Sequence, residues 1–527
     1  MRSRIRSSVS AFCLCMCVIV LPGCSVLDAV PEVEIDAGRV QGGMMDGVQS
    51  YKGIPYVAPP VGEWRWQPPQ PVEPWEGVLQ ATEYTPFCPQ NDDEYLWFEL
   101  TEMSEDCLSL NVLTSAANTN AKLPVMVWIH GGGYVNGSGN IPRLNSTAMV
   151  KQGVVLVTIN YRLTLLGFMT HPALATGDPD QPQGNYGILD IIESLKWVQR
   201  NIAAFGGDPD NVTVFGESAG AGFVNFLMMS PKSAGLFHRA ISESSSVGIA
   251  PDPYIDRRAG FLPSANSVGI AFAKRLGIDN HDGSSPEVTA ALRAVSVEKI
   301  LATLEPRDRF TPVVEGVVLP DQVGEMLATG RQHKVPYMTG GNSWEASLGR
   351  AIGGGFSPEF AGKLVPKAEK ERLYSGLSGE ALDDQIFGDL IVHSGSRYFA
   401  GRMFKRGAPV YRYYLTYLAE ARRDTQPGVA HADDIAFVMQ TLHEEKDLNI
   451  ISNRDWEISR LMGAYWAQFA KTGNPNREGL PEWPAFDDQK GSVLEIGDEI
   501  QPLEYPLEDR VQFHMKRGLD LMQKARK

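Results

Sequence analysis

The sequence has 527 residues, 43% hydrophobic side chains and a formal net charge of −15, a composition that suits a globular protein with a large core. The negative charge argues against nucleic acid as a partner, because such a surface needs clustered lysine and arginine. The length alone would allow about three or four domains. The motifs of a single site are distributed over nearly the whole chain, however, and this distribution favours one domain.

The first 24 residues have the pattern of an export signal. Three arginines precede an apolar run, Val9 to Leu21, that is too short for a comfortable transmembrane helix. The run ends in Leu-Pro-Gly-Cys-Ser, which resembles a bacterial lipobox with Cys24 as the lipidated residue, although Pro22 departs from the usual pattern. We expect an exported protein with a membrane anchor at Cys24, and Ser25 favours the outer membrane. The alternative is a plain secretory signal with an incidental cysteine, which gives a periplasmic or secreted protein.

Two cysteines remain after the signal and the lipid site, Cys88 and Cys107. An even pair in an oxidising compartment tends to be bonded, so we predict a disulfide between them. It would close a loop of about 20 residues, which is worth about 3 kcal/mol of stability in the chain-entropy estimate. Two buried free thiols are the alternative.

Beyond a segment rich in glycine and proline (35–84), which suits edge strands and loops, apolar runs alternate with amphipathic segments. This alternation predicts an α/β fold with a mostly parallel central sheet flanked by helices. Residues 248–304 break the alternation, and we expect their loops and helical pieces over the active site. The predicted strands are Leu108–Leu113, Val125–Ile129, Val154–Tyr161, Arg239–Ser244, Val335–Thr339 and Val410–Leu415, and the predicted helices are Ile188–Ile202 and Ala221–Met229.

The segment Gly216-Glu-Ser-Ala-Gly220 is the strongest local motif. A β-branched and aromatic run ends directly before it at Phe215, and an apolar, helix-like segment follows it. Strand, sharp turn and helix around G-x-S-x-G form a nucleophile elbow, in which the glycines allow close backbone approach. Ser218 is therefore a candidate nucleophile, provided that the rest of the chain supplies a base, an acid and oxyanion donors.

A serine hydroxyl needs a general base, and the base needs an orienting carboxylate. In α/β-hydrolases the chain order is serine, acid, histidine. Of the seven histidines after the elbow, His431 is the best placed, because it lies in a loop after the predicted strand 410–415. Glu345 follows the predicted strand 335–339, at the carboxyl end where such sheets form their sites. Taken alone, each residue is also compatible with a solvated carboxylate or an ordinary histidine.

A second glycine-rich segment, His130-Gly-Gly-Gly-Tyr134, follows another predicted strand. It matches the loop that supplies oxyanion-hole N–H groups. We assign Gly132 and Gly133 to this role, with Ala219 of the elbow as the third donor. A phosphate-binding role is weak, because no Lys-Ser or Lys-Thr follows. We predict no cofactor and no metal, since no second histidine supports the cluster at His431.

Together these motifs resemble a type-B carboxylesterase, of the family that includes cholinesterases, bacterial para-nitrobenzyl esterases and bile-salt lipases. The match covers nearly all of the mature chain, so we predict a signal peptide over 1–24, a short tether over 25–33 and a single domain over 34–527. Further matching segments are Gly53-Ile-Pro-Tyr56, Glu105-Asp-Cys-Leu108, Gly206-Gly-Asp-Pro209 and Gly473-Asn-Pro-Asn476.

The resemblance implies an α/β-hydrolase fold with insertions over the active site. It implies a catalytic triad of Ser218, Glu345 and His431. It also implies the disulfide and a salt bridge between Arg65 and Glu105. A buried carboxylate network near the histidine is implied as well, formed by Glu217 and Asp434, and we assign Ser244 to the residues that surround the triad.

Trp97 stands ten residues before the second cysteine, as does the tryptophan that faces the choline cation in cholinesterases. A packed loop aromatic is the simpler interpretation of this residue. We expect an esterase that acts on small-molecule carboxylic esters through an acyl-serine. The alternatives are a non-catalytic binding or adhesion protein on the same fold, and the same site acting on amides, carbamates or thioesters. The sequence assigns neither the physiological substrate nor the oligomeric state.

Overall fold

The computed structural model describes residues 30–91, 98–178, 180–278, 285–305 and 308–525. In these residues the strands form one large and one small sheet. In chain order the strands are β1 (Glu32–Ile35), β2 (Gly38–Gln41), β3 (Gly43–Met45), β4 (Val48–Pro55), β5 (Val78–Gln80), β6 (Ser109–Thr114), β7 (Leu123–Ile129), β8 (Val155–Ile159), β9 (Gly207–Glu217), β10 (Arg239–Glu243), β11 (Tyr337–Asn342), β12 (Val410–Leu415), β13 (Val493–Ile496) and β14 (Ile500–Leu503).

Helices connect the strands of the large sheet, and a π-helical turn, Asp389–His393, joins the twelfth helix to the thirteenth. The helices are α1 (Thr147–Lys151), α2 (Thr164–Phe168), α3 (Tyr186–Asn201), α4 (Ala219–Met229), α5 (Ala265–Arg275), α6 (Pro286–Arg293), α7 (Val297–Thr303), α8 (Val323–Ala328), α9 (Ala346–Ile352), α10 (Pro358–Lys363), α11 (Lys367–Leu373), α12 (Gly379–Gly388), α13 (Ser394–Lys405), α14 (Asp433–Met439), α15 (Asn453–Thr472) and α16 (Glu508–Ala525).

The large sheet has the strand order β14-β13-β12-β11-β10-β9-β7-β8-β6-β4-β3. All neighbours from β8 to β13 are parallel. The edges are antiparallel, with β14 on one side and β6, β4 and β3 on the other. Parallel neighbours need crossover connections, so helices come to lie on both faces of the sheet. The predicted α/β class with a mostly parallel sheet is confirmed.

Two apolar cores lie on opposite faces of the large sheet. Strand β7 contributes to both, because alternate side chains of a strand point to opposite faces. Val127 packs in the core that contains α3 and α4, whereas Trp128 packs in the core that contains α14 and α15. Burial on both faces explains why the central strands have continuous apolar sequences.

The predicted elements are found within a few residues of their expected bounds. Strand β11 begins two residues later than predicted, at Tyr337, because Pro336 has no N–H group to donate to the ladder. Helix α3 ends at Asn201, and a 3₁₀ turn carries the chain to Gly206. Gly206 has a φ of 76°, the left-handed conformation that glycine adopts readily at a helix end.

Residues 1–29 lie outside the described part of the chain, and with them the predicted signal peptide and Cys24. Strand β1 begins at Glu32, two residues before the predicted start of the domain at residue 34. Within the described ranges, no helix has both the length and the hydropathy needed to cross a bilayer.

Arg65 ties an N-terminal loop to the segment with helices α6 and α7. Its guanidinium donates to Glu105 at 2.7 and 2.5 Å, so the expected Arg65–Glu105 salt bridge is present. It also donates to the carbonyl oxygens of Arg293 and Val295 at 3.0 and 2.6 Å. These contacts fix where that segment packs, and a roof over the active site remains a prediction.

Cys88 and Cys107 form a disulfide across 19 positions of the chain. Both side chains are buried. We expect a variant with both cysteines changed to serine to lose about 3 kcal/mol of unfolding free energy, because the unfolded chain regains the entropy of the open loop. Urea unfolding of the variant and the oxidised parent measures this difference, provided that the unfolding free energy depends on urea concentration with the same slope in both proteins. Coincident unfolding midpoints would contradict the prediction.

Candidate active site

Ser218 lies at the turn between β9 and α4. Its backbone φ and ψ are 57° and −120°, a conformation that residues other than glycine rarely adopt. Two hydrogen bonds hold the turn: the N–H of Ser218 donates to the carbonyl of Glu243 at 2.9 Å, and its carbonyl accepts from the N–H of Gly222 at 2.9 Å. The strained geometry is that of a nucleophile elbow.

The glycines on either side of the serine allow the turn to press against β7. A Cβ atom on Gly216 would lie 2.4 Å from the carbonyl oxygen of Ile129, and one on Gly220 would lie 2.0 Å from the same oxygen. Neither distance is possible for a real side chain, and backbone cannot yield as a flexible side chain can. Close backbone approach is thus the reason for glycine at both positions.

His431 approaches the serine from the loop between β12 and α14. Its Nε2 lies 2.8 Å from the Oγ of Ser218, and its Nδ1 lies 2.5 Å from Oε2 of Glu345. The backbone N–H of His431 donates to the hydroxyl of Ser347 at 2.8 Å, which fixes the loop. The structure therefore brings the serine, histidine and glutamate predicted from the sequence into one hydrogen-bonded chain.

Glu345 follows β11 and is buried. Its Oε1 accepts from the hydroxyl of Ser244 at 2.7 Å and from the backbone N–H of Asn342 at 2.7 Å. With the bond from His431, three donors converge on this carboxylate. Burial alone would raise the pKa of Glu345, but the charge of and hydrogen bond from His431 hold it below its usual value.

Two further carboxyls surround the imidazole. Oε1 of Glu217 lies 3.1 Å from Nε2 of His431, and burial raises the pKa of Glu217, whereas the charge of His431 lowers it. Asp434 accepts from the Nδ2 of Asn342 at 3.2 Å and from the hydroxyl of Tyr413 at 3.1 Å. Glu217 and Asp434 are therefore buried near the histidine, as the resemblance implied.

The carboxylates control the proton affinity of His431. Burial alone would lower its pKa, but the negative charges of Glu217 and Glu345 outweigh burial and raise it above its usual value. Each of these carboxylates, when ionised, therefore favours the imidazolium form of His431.

The glycine loop after β7 lies against the elbow. A Cβ atom on Gly131 would lie 3.2 Å from the Cβ of Ser218. Gly132 and Gly133 have φ values of 104° and 63°, which glycine adopts without strain. The preceding His130 is fixed by Tyr161, whose hydroxyl donates to the His130 carbonyl at 2.7 Å. Ala219 is the first residue of α4, where backbone N–H groups have no partner within the helix.

Some residues of the site were not found by sequence reasoning. Arg143 donates to the carbonyl of Ala432, directly after the histidine, and pairs with Glu445 at 2.9 Å. Glu243 ends β10 beside the elbow strand. The rule that active-site groups lie at the carboxyl ends of strands would have found Glu243. No comparable signal marks Arg143, whose contact spans almost three hundred residues.

Trp97 lies outside the described residues, so a substrate contact of this side chain stays a prediction. In the described part of the chain, no group of three or more histidine, cysteine, aspartate and glutamate side chains has the arrangement of a metal site.

Comparison with known families decides the class of this site. The family model described as "Carboxylesterase family" matches residues 29–357 and 368–516. The chain belongs to the carboxylesterase family. This carboxylesterase is 33% identical to a fumonisin B1 esterase of Sphingopyxis macrogoltabida, over 88% of this chain and 86% of that protein. It is 34% identical to a cocaine esterase of Homo sapiens, over 95% of this chain and 93% of that protein.

Solved structures agree with the family. A PNB esterase superposes with a TM-score of 0.78 and 32% identity, over 91% of this chain and 98% of that chain. A carboxylesterase of Geobacillus stearothermophilus superposes with a TM-score of 0.78 and 32% identity, over 92% of this chain and 99% of that chain. The fold of this carboxylesterase is that of the α/β-hydrolases, and its activity is the hydrolysis of carboxylic esters.

Proposed function

We propose that the protein is an exported serine esterase that cleaves small-molecule carboxylic esters through an acyl-serine intermediate. The observation that carries this proposal is the hydrogen-bonded chain from Ser218 through His431 to Glu345, with contacts of 2.8 and 2.5 Å. In the first step His431 accepts the proton of Ser218 as Oγ attacks the ester carbonyl carbon. The imidazolium then returns this proton to the leaving alcohol.

In the second step water releases the acid. His431 accepts a proton from the water as its oxygen attacks the acyl carbon, and the bond to Ser218 Oγ breaks as the proton returns to that oxygen. Glu345 stays ionised, holds Nδ1 protonated and stabilises the imidazolium. The N–H groups of Gly132, Gly133 and Ala219 donate to the oxyanion in both steps. The contact of the adjacent Gly131 with Ser218 and the positive φ values of Gly132 and Gly133 support this role.

A covalent label tests the acyl-serine. We expect a fluorophosphonate to inactivate the enzyme at one equivalent and to modify the peptide that contains Ser218, because the reagent needs an activated serine. A panel of nitrophenyl esters, from acetyl to palmitoyl, then measures the acyl preference. Modification of another peptide with full loss of activity would refute the assignment.

Lipid anchoring is a separate part of the proposal and rests on the sequence before residue 30. We expect Cys24→Ala to move the active enzyme from the membrane fraction to the soluble periplasmic or secreted fraction, because a lipidated cysteine is the only anchor that the sequence predicts. Esterase activity in each fraction measures the change. An unchanged distribution would show that Cys24 is an incidental cysteine.

The carboxyl of Glu217 sets the pH dependence. Glu217→Gln keeps the shape of the side chain but removes a charge that favours imidazolium, so it lowers the pKa of His431. Activity requires neutral His431 and is lost as the pH falls through that pKa. We therefore expect the acid limb of kcat/KM to move to lower pH by about one pH unit. A limb that moves to higher pH would contradict the sign of this interaction.

A further inference from the structure

A fourth buried carboxyl lies beside the triad and has no part in the proton transfers described for it. Glu243 is the last residue of β10 and is fully buried. It pairs in register with Glu217 on the neighbouring parallel strand β9. Residues in register on adjacent strands project to the same face of a sheet, so these two carboxyls are neighbours. The backbone carbonyl of Glu243 also accepts a hydrogen bond from the N–H of Ser218.

The number of hydrogen-bond donors differs among the buried carboxyls. Glu345 accepts three hydrogen bonds, from Ser244, Asn342 and His431. Asp434 accepts two, one on each oxygen. A buried anion needs such donors to replace the water that it has lost. These two carboxyls therefore have the surroundings of anions.

Glu243 has a single donor. The indole Nε1 of Trp466 donates to Oε1 at 2.8 Å, and Oε2 has no hydrogen-bond partner among the residues that the structure describes. The titratable groups that face this carboxyl are Asp434 on α14, Glu217 on β9 and Tyr413 on β12. None of them brings a positive charge. A bare oxygen next to acidic neighbours is the environment of a neutral carboxylic acid, and burial raises the pKa of Glu243 well above its usual value.

We propose that Glu243 is a positioning residue that stays protonated at neutral pH and donates a hydrogen bond from Oε2 to the carboxylate of Asp434. The proposal rests on the esterase function proposed for this site. Asp434 then has three donors, from Asn342, Tyr413 and Glu243. Through Trp466 the same side chain connects the cluster to α15, on the face of the sheet where α14 also packs.

A neutral Glu243 has a consequence for the base. Every additional negative charge in this buried cluster favours the imidazolium form of His431. An imidazolium cannot accept the proton of Ser218. A protonated Glu243 supplies a hydrogen bond without adding such a charge, so the cluster orders Asp434 while His431 remains able to act as a base.

Glu243→Gln and Glu243→Leu test the proposal, with Glu217→Gln as the matched control. Glutamine is permanently neutral, accepts from Trp466 and donates to Asp434, so we expect Glu243→Gln to leave the acid limb of kcat/KM unchanged. Leucine removes both bonds, and we expect about a tenfold lower kcat that glutamine restores. Glu217→Gln shows that a charge lost beside His431 does move the limb.

Infrared difference spectra provide a direct measurement of the proton. We expect the carbonyl stretch of a protonated carboxyl at neutral pH in Glu217→Gln, which removes the neighbouring carboxyl, and a smaller band when Glu243→Gln is added to that variant. An acid limb displaced to lower pH in Glu243→Gln, an unchanged band in the double variant, or full activity of Glu243→Leu would each overturn the proposal. The spectra can be recorded on inactive Ser218→Ala, so failure of the proposed triad and failure of this inference are distinguishable.

Discussion

Replacement of Ser218 by alanine is expected to lower kcat on a nitrophenyl ester by about a million-fold, the loss found when a triad serine is removed. The reason is that the 2.8 Å contact between Oγ and Nε2 of His431 is the start of the proton transfer. The alanine variant retains the backbone of the turn and the oxyanion donors. Residual hydrolysis at about a thousand-fold over water would therefore remain. Stopped-flow assays of the parent enzyme and long incubations of the alanine variant with the same substrate measure the two rates.

The same position offers a matched control. Ser218→Gly is expected to be as inactive as Ser218→Ala but more stable, by about 1 kcal/mol of unfolding free energy. The φ of 57° and ψ of −120° strain alanine as they strain serine, whereas glycine adopts them readily. Urea unfolding of the two inactive variants compares them without interference from catalysis. Equal stabilities would mean that the turn stores no strain, and activity in either variant would exclude Ser218 as the nucleophile.

Local sequence predicts those parts of the molecule that are encoded by neighbouring residues. The elbow is one example, since strand, Gly216, Ser218, Gly220 and helix are consecutive and each has a steric reason. The central strands are another, because burial on both faces leaves a continuous apolar run. The order of the strands in the sheet is not encoded in this way, and it depends on the packing of whole helices between them.

The surroundings of the triad show where sequence reasoning ends. Ser347, which fixes the backbone of His431, is 84 positions away in the chain. Arg143 reaches the carbonyl of Ala432 from 289 positions away. A hydrogen bond of this kind needs only one donor at the right place, so it leaves no periodicity or composition to detect. The family resemblance supplied Glu217 and Asp434, and the bare oxygen of Glu243 could come only from the three-dimensional structure.

Glu345→Gln is expected to lower kcat by about ten-thousand-fold, the effect of the corresponding acid-to-amide change in a serine triad. Three donors face this side chain, from His431, Ser244 and Asn342. If the amide NH₂ faces Nδ1, it favours the tautomer with hydrogen on Nε2, which cannot accept from Ser218. If the amide oxygen faces Nδ1, the NH₂ opposes the N–H of Asn342. Single-turnover rates with a nitrophenyl ester measure the loss.

Ser244→Ala is the control for this change. It removes one of the three donors and leaves both the charge of Glu345 and its 2.5 Å contact with His431. One hydrogen bond to a charged group is worth about 1.5–3 kcal/mol, and only part of that acts on the transition state, so the expected loss is at most about a hundred-fold. The large gap between the two variants reflects the carboxylate charge itself. A Glu345→Gln enzyme that is as active as Ser244→Ala would show that another carboxylate of the cluster orients His431.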